Sequence, residues 1–256
     1  MAITFALDLS RLAAFLLLFC RVGGVLVAAP LVGSQRVPAR LRAALALAIS
    51  VVLAPTAGSA PPCEDTTTLA LAIGRELLIG LAIGFGASLI FAAIQMAGEL
   101  ADLQSAFGFA GMVSPQTGER SSVIGQLQMS IAWLIFLAAD GHHVLLQGLG
   151  ASLVTAPLGS GPGFAGPALT AAVAGLLVTS VRIAAPIVAA TMLADLALGL
   201  LTRAAPQMNL LAIGFPIKLV VGVGATLLSL PILVSAQRGL ISSMETIMRG
   251  VLAAAR

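Results

Sequence analysis

The 256-residue sequence is poor in charged and aromatic residues. Asp, Glu, Lys and Arg make up only 9% of it and Phe, Trp and Tyr 4%, with a single tryptophan and no tyrosine. Because an ordinary soluble domain carries about 25% charged residues, this shortage excludes such a domain. The thirteen basic residues are scattered along the chain and form no run that could follow a phosphate backbone. Nucleic acid is therefore not an expected partner.

Residues for catalysis or metal binding are also scarce. The two cysteines lie in no spacing typical of a metal or redox site. Lys218 is the only lysine, and because it does not follow a glycine, a Walker A loop is excluded. His142 and His143 follow Asp140 in "DGHHV", but neighbouring side chains on a helix point about 100° apart. We predict a turn at a helix end there, and we expect neither a cofactor, a metal site nor enzymatic activity.

Hydrophobic residues, by contrast, make up 59% of the chain, and its mean hydropathy is +1.08. These values are typical of an integral membrane protein. The apolar runs lack the period-two alternation of barrel strands and are separated by Pro- and Gly-rich turns, so the sequence predicts an all-α fold. We expect about six apolar helical units, arranged partly as helical hairpins, with some units kinked or split. The runs cover residues 12–29, 43–54, 69–98, 123–139, 168–202 and 213–236.

Details within the runs refine this prediction. The first run resembles a signal peptide, but Asp8 precedes it and Arg21 interrupts it, so we expect a retained helix. The short second run, and the charges near the start of the third, favour a hairpin or re-entrant element over independent crossings. Prolines inside the last two runs are expected to bend or break their helices. Residues 237–256 are predicted to form an amphipathic terminal helix.

Ionisable residues lie within or beside the apolar runs, where each costs about 3 kcal/mol or more at the bilayer centre. They could form an ion or proton relay, or they could pair within an assembly; the scarcity of acids favours pairing. The predicted membrane topology is also inconsistent. The basic loop at residues 36–42 and the basic C-terminus are both expected in the cytoplasm, but six crossings would place them on opposite sides of the membrane. The charges are Arg21, Arg75, Glu76, Arg182, Asp195 and Lys218.

Three blocks of sequence carry a family resemblance over nearly the whole chain. They are "RVGGVLVAAPLVGSQRVPARLRAALALAIS" at residues 21–50, "GELADLQSAFGFAGMVSP" at 98–115 and "DLALGLLTRAAPQMNLLAIGFPIKL" at 195–219. In this order they resemble the FliR family, the flagellar member of the type III export gate, which is related to the T-type gate subunits of injectisomes. The third block is the most specific, with an arginine, then Pro-Gln-x-Asn, then Gly-Phe-Pro.

The resemblance implies a subunit of a helical gate in the bacterial inner membrane, at the flagellar basal body. Its implied partners are FliP-like, FliQ-like and FlhB-like subunits and the unfolded flagellar proteins that leave the cytoplasm. It also implies a single export-gate domain, with a FliP-like front part at residues 1–158 and a FliQ-like back part at 168–256. In this family the hairpins are largely lifted out of the bilayer into a protein shell, which would explain the topology conflict.

The loop after Gly98 is, by the same resemblance, a plug that helps to close the pore. Phe109 matches an aromatic of the family's plug, and Met112 stands where relatives can have a second aromatic. Phe107 is the third apolar side chain of this stretch. The alternative is that all three are packing residues at a helix start, because apolar residues near a helix end usually are.

The stretch "TRAAPQMN" also has two interpretations. Arg203, Gln207 and Asn209 could cap helix ends, or they could contact a neighbouring subunit, which the resemblance favours. The residues predicted to serve assembly are Arg75, Glu76, Arg203, Gln207, Asn209 and Lys218. The alternative function is a secondary transporter, suggested by broken helices and charges within the membrane, but the sequence shows no matching halves. No single residue distinguishes a flagellar system from an injectisome.

Overall fold

The computed structural model describes residues 9–30, 33, 37–58, 65–105, 122–159, 166–207 and 209–253. All regular structure in these ranges is helical, which confirms the all-α prediction. The helices are α1 (Leu9–Ala28), α2 (Ala39–Leu53), α3 (Thr66–Gln104), α4 (Val123–Ala138), α5 (Gly141–Thr155), α6 (Gly166–Ala204) and α7 (Leu210–Ala253), and a 3₁₀ turn at Ala54–Thr56 follows α2.

Five of these helices are long and apolar enough to cross a membrane: α1, α2 with its 3₁₀ turn, α3, α6 and α7. The short helices α4 and α5 pass the same test only together, and they are bent by 62° at the break between them. Counting this bent pair as one unit gives the six units that the sequence predicts. The separate helix α5 was not predicted, because glycines and histidines interrupt its apolar pattern.

The long helices are more continuous than the sequence suggests. Helix α3 runs for 39 residues through Arg75 and Glu76, the charges that favoured a re-entrant element. Pro186 lies inside α6, and Pro216 and Pro231 lie inside α7, so these prolines do not end their helices. The predicted terminal helix is the last part of α7, which runs to residue 253 without interruption. Each interruption has helical turns on both sides, and continuation of the helix through these turns outweighs its local cost.

The described chain divides into two compact units that interleave along the sequence. Unit 1 contains Met1–Leu89, Asp140–Val173 and Ile241–Arg256, and unit 2 contains Ile90–Ala139 and Ala174–Leu240. Each unit combines separate stretches of the sequence, whereas the predicted front and back parts are two continuous stretches. The predicted boundary between those parts falls at residues 159–167, mostly outside the described residues, and remains a prediction.

Within unit 1, α1 packs closely against the first half of α3. A Cβ atom added at Gly80 would lie only 2.1 Å from the carbonyl oxygen of Arg21, and one added at Gly84 would lie 2.5 Å from that of Val25. Only glycine allows the two backbones to approach so closely. Gly80 and Gly84 therefore form a G-x-x-x-G helix contact with α1. Leu17 of α1 is fully buried beside this contact region.

Unit 2 has its own apolar core. Phe91 of α3 stacks on Trp133 of α4, with ring centroids 3.9 Å apart, and meets Phe136 edge-on at 5.3 Å. A second cluster joins four helices through buried side chains: Ala101 of α3, Ile124 of α4, Ile187 of α6 and Ala225 of α7. Ala101 and Ile124 are close in sequence to residues 105 and 122, so this cluster helps to fix the described chain on either side of residues 106–121.

Candidate functional site: the loop stem and the charges of the apolar helices

The predicted plug residues Phe107, Phe109 and Met112 belong to residues 106–121, which lie outside the described residues. The structure does describe the two ends of this loop. We call these ends the loop stem and define it as residues 98–105, the end of α3, and residues 122–125, the start of α4. The stem determines where any plug in the loop would be held.

Polar contacts fix the start of α4 in the stem. Oδ1 of Asp102 accepts a hydrogen bond from the backbone N–H of Ile124 at 3.2 Å. The Oγ atom of Ser122, the N-cap residue, accepts one from the N–H of Gly125 at 2.8 Å. The first N–H groups of a helix have no partner within it, and a carboxylate also interacts favourably with the helix dipole there. These contacts give the start of α4 a defined position.

Close backbone contacts fix the other side of the stem. A Cβ atom added at Gly98 would lie 2.2 Å from the Cα atom of Gly125, so α3 and α4 touch at these two glycines. A Cβ atom added at Gly222 of α7 would lie 3.0 Å from that of Ser105. Three helices thus converge at the base of the loop. No motif in the sequence identifies this convergence, although the glycines that permit it are visible.

Beneath the stem lie buried polar atoms without hydrogen-bond partners among the described residues. Gln128 of α4 is fully buried, and neither its amide oxygen nor its amide nitrogen has such a partner. Oδ2 of Asp102 is in the same situation. An unsatisfied buried polar group costs about 1–3 kcal/mol. Gln128 is a residue that sequence reasoning missed.

In unit 1, Arg21 of α1 and Glu76 of α3 form a fully buried ion pair. The Nε atom of Arg21 lies 2.6 Å from Oε2 of Glu76, and both side chains have no exposed surface. Nη1 of Arg21 also donates to the carbonyl oxygen of Ser152 at 3.0 Å and to its Oγ at 3.2 Å. Oε1 of Glu76 accepts from the backbone N–H of Gly159 at 2.9 Å. The pair therefore connects α1, α3 and the end of α5.

A second ion pair lies in unit 2, between α6 and α7. Nζ of Lys218 is 2.6 Å from Oδ1 of Asp195, but these side chains are 25% and 43% exposed. The neighbouring Leu196 and Val220 are more exposed still, at 65% and 69%. This pair therefore belongs to an apolar surface that the chain itself leaves uncovered. Pairing of these charges was predicted, but the sequence did not indicate which residues would pair.

The remaining four predicted assembly residues are all exposed. Arg75 lies on the outer face of α3, next to the buried Glu76. Arg203 is in the last turn of α6, where a cation interacts favourably with the helix dipole. Gln207 follows in the turn between α6 and α7. Oδ1 of Asn209 accepts from the N–H of Ala212 at 3.4 Å, a weak contact at the start of α7 that agrees with the capping alternative.

The "DGHHV" stretch forms the break between α4 and α5. Asp140 has left-handed backbone angles, with φ 54°, and its Oδ1 lies 3.0 Å from Nδ1 of His143. This bond closes the first turn of α5, as a turn at a helix end requires. The ring centroids of His142 and His143 are 4.2 Å apart, although neighbouring side chains on a helix point about 100° apart. One ligand atom from each of Asp140, His142 and His143 lies within 4.8 Å of the others, so these residues could hold a metal ion.

Comparison with known proteins relates this architecture to protein export. Residues 12–244 match the model of the family described as bacterial export proteins, family 1. The flagellar biosynthetic protein FliR of Bacillus subtilis (strain 168) is 32% identical over 245 residues, which cover 94% of this chain and 95% of that protein. FliR of Escherichia coli (strain K12) is 33% identical over 216 residues, which cover 83% and 82%.

A relative from another secretion system matches a smaller part of the chain. The Yop proteins translocation protein T of Yersinia pestis is 30% identical over 187 residues, which cover 70% of each chain. The family match spans the Arg21–Glu76 pair, the loop stem and the Lys218–Asp195 pair together. It confirms the resemblance carried by the three sequence blocks, and the chain belongs to family 1 of the bacterial export proteins.

Proposed function

We propose that this chain is a subunit of the flagellar type III protein export gate, located in the inner membrane at the flagellar basal body. The observation that carries the proposal is the similarity to the flagellar protein FliR of Bacillus subtilis over 94% of the chain. The injectisome relative matches only 70% of it, which favours a flagellar system. The partners are FliP-like, FliQ-like and FlhB-like subunits, and the cargo is unfolded flagellar proteins. Because the family match concerns protein export, the transporter alternative is not pursued.

A role in the channel shell agrees with the lengths of the helices. Helices α3 and α6 each contain 39 residues, and α7 contains 44. At 1.5 Å per residue they are about 60 Å long, roughly twice the 30 Å hydrocarbon core of a bilayer. Their apolar segments contain 39, 35 and 31 residues and also exceed the thickness of the hydrocarbon core. Such helices fit a protein shell that extends beyond the bilayer better than they fit simple crossings.

The exposed apolar surface of the isolated chain also supports a shell. Only 28% of an 18-residue apolar stretch in α6, and the same share in α7, is buried within the chain, and the corresponding share for α2 with its 3₁₀ turn is 11%. The corresponding value for α3 is 61%. The exposed faces of α2, α6 and α7 are therefore available to neighbouring subunits, to lipid or to both.

The 106–121 loop forms the closed-state plug in this proposal. Phe107, Phe109 and Met112 supply an apolar constriction that excludes water and ions. The flexible, polarizable side chain of methionine can repack around many different passing sequences. The loop stem supports the role because it holds both ends of the loop through Asp102 and the Gly98–Gly125 contact.

Export by this subunit requires no chemistry of its own. The chain contributes the channel wall and the plug, and the energy for export is supplied elsewhere in the apparatus. The groups that the structure brings together form ion pairs, caps and helix contacts, which are suited to holding a channel in shape.

Co-purification tests the subunit assignment. The tagged chain, expressed with the FliP-like and FliQ-like proteins of its own system, is expected to be recovered from membranes in one stable complex with them. Recovery as a stable monomer without either partner would contradict the proposal.

Membrane permeability tests the plug. Replacing Phe107, Phe109 and Met112 together by alanine is expected to make cells that express the whole gate leak ions, measured with a dye sensitive to the membrane potential. Leu71→Ala is the matched control, because Leu71 is a large exposed apolar residue of α3 that lies outside the loop stem. Normal assembly with unchanged permeability would contradict the plug and favour the alternative, in which the three residues only contribute to packing.

A further inference from the structure

The start of α5 brings together three side chains that can bind a metal ion. One ligand atom from each of Asp140, His142 and His143 lies within 4.8 Å of the other two. All three residues belong to unit 1. They comprise both histidines of the chain and the carboxylate that precedes them. Neither the channel shell nor the plug of the proposed function uses them, so the cluster needs an explanation of its own.

Two of these side chains lack the partners that their positions normally provide. Asp140 is the N-cap residue of α5, where a carboxylate ordinarily accepts a hydrogen bond from the backbone of the first turn. Its side chain makes no such bond. Nδ1 of His142 is buried and has no hydrogen-bond partner within the described ranges, which is unfavourable for a polar atom. Coordination to one cation satisfies both groups.

We propose that Asp140, His142 and His143 bind one divalent transition-metal ion of the Zn²⁺ class. Oδ1 of Asp140 and Nδ1 of His143 are 3.0 Å apart, close to the separation of about 3.3–3.5 Å between two ligands of a tetrahedral Zn²⁺ ion. The ion takes the place of the proton between these two atoms, and the neutral imidazole of His143 then carries its proton on Nε2. A ring nitrogen of His142 is the third ligand, and rotation of the side chains closes the remaining distance.

The kinds of ligand select the metal. Two imidazole nitrogens and one carboxylate oxygen suit Zn²⁺ and its neighbours among the transition metals, whereas Mg²⁺ and Ca²⁺ prefer oxygen ligands alone. The side chains of Asp140 and His143 are 70% and 59% exposed, so an ion can reach them and water can complete its coordination. The positive end of the α5 dipole disfavours a cation here, and the negative charge of Asp140 opposes that effect.

Titration of the full chain with Zn²⁺ tests the site. The chain is purified in detergent micelles with an affinity tag that contains no histidine, stripped with a chelator and titrated by isothermal calorimetry. We expect one strong site per chain, and His142→Gln and His143→Gln should each weaken Zn²⁺ binding about tenfold or more. Asp65→Asn is the control and should bind like the wild type, because Asp65 is another exposed aspartate that directly precedes a helix.

Electron paramagnetic resonance covers the case in which the histidine variants do not fold. The wild-type chain with one equivalent of Cu²⁺ should show coupling of the unpaired electron to imidazole nitrogen. A Cu²⁺ spectrum without that coupling overturns the proposal. So does a wild-type chain that binds no Zn²⁺, or a folded double variant, His142→Gln with His143→Gln, that binds Zn²⁺ as tightly as the wild type. The isolated chain is titrated without partners, so these outcomes are independent of the co-purification that tests the gate assignment.

Discussion

The buried Arg21–Glu76 pair and the surface Lys218–Asp195 pair have the same nitrogen–oxygen distance, 2.6 Å, but differ in their surroundings. The first has no exposed surface and is held by further hydrogen bonds from or to Ser152 and Gly159. The second is partly exposed on an apolar surface. Distance alone therefore does not indicate what an ion pair contributes. The buried pair belongs to the internal architecture of unit 1, whereas the exposed pair is available to whatever covers α6 and α7.

The largest effect should come from breaking the buried pair. Glu76→Gln leaves the Arg21 guanidinium buried without its counter-charge, which typically costs about 3–5 kcal/mol. We expect the free energy of unfolding in mixed micelles, followed by circular dichroism, to fall by this order and the membrane level of the chain to drop.

The double variant Arg21→Met with Glu76→Met is the control for this prediction. It removes both charges, and replacement of a buried pair by apolar residues is often neutral or stabilising. The double variant should therefore recover much of the stability lost by Glu76→Gln. A loss in the double variant as large as in the single one would show that hydrogen bonds to Ser152 and Gly159, and not the uncompensated charge, dominate.

Separating α1 from α3 should have the next largest effect. Gly80→Ala places a methyl group 2.1 Å from the carbonyl oxygen of Arg21, and forcing the helices apart to accept it should cost about 1–3 kcal/mol. Gly74→Ala on the same helix is the control, because a Cβ atom there meets nothing within 4 Å. Thermal unfolding in detergent should give a lower midpoint for Gly80→Ala than for Gly74→Ala. Equal midpoints would contradict the close contact between α1 and α3.

A smaller loss is expected from Ser152→Ala. The substitution removes the hydroxyl that accepts from Arg21 at 3.2 Å and keeps the carbonyl that accepts at 3.0 Å. One of several hydrogen bonds to a charged group is lost, so we expect a decrease of about 1–2 kcal/mol in the free energy of unfolding. A decrease as large as that of Glu76→Gln would mean that the hydroxyl positions the whole pair.

The smallest effect on the isolated chain is expected at the exposed pair. Lys218→Met should change the free energy of unfolding by less than about 1 kcal/mol, because exposed ion pairs contribute little. The single tryptophan, Trp133, lies in unit 2 with this pair, so its fluorescence is a suitable probe.

Lys218→Met should reduce assembly with other subunits more than it reduces the stability of the isolated chain. Co-purification with FliP-like and FliQ-like subunits provides that measurement, and Asp195→Asn is the matched substitution of the other partner. If Lys218→Met destabilises the isolated chain as strongly as Glu76→Gln does, the contrast between the two pairs does not hold.

Much of the fold could be predicted because its signals are local. Composition and the length of the apolar runs indicate membrane helices, and Pro- and Gly-rich stretches mark most of their ends. The continuity of the long helices was harder to predict. Helix α3 runs through Arg75 and Glu76, and α6 and α7 run through prolines. In each case packing over many turns outweighs a local interruption, and a sequence window does not contain that packing.

The candidate site could be predicted only in part, because some of its helix contacts have a recognisable sequence pattern and others do not. Gly80 and Gly84 form a G-x-x-x-G pattern, which permits a close helix contact, and the structure identifies α1 as the partner. The buried Gln128 and the Gly98–Gly125 contact carry no recognisable motif, so only the arrangement of α3 and α4 reveals them. The plug role of Phe107, Phe109 and Met112 stays a prediction that the permeability experiment can test.

The sequence by itself determined that this is an all-helical membrane chain of the export family, because hydropathy, turn residues and family blocks are written into contiguous segments. Only the tertiary structure decided which charges meet. Arg21 pairs with Glu76, 55 positions away, and with Ser152, 131 positions away. Several basic and acidic groups were available in the apolar runs, and their spacing along the chain does not say which helix faces come together. Burial against a particular neighbour makes that choice, because an unpaired charge in an apolar interior is too costly to remain.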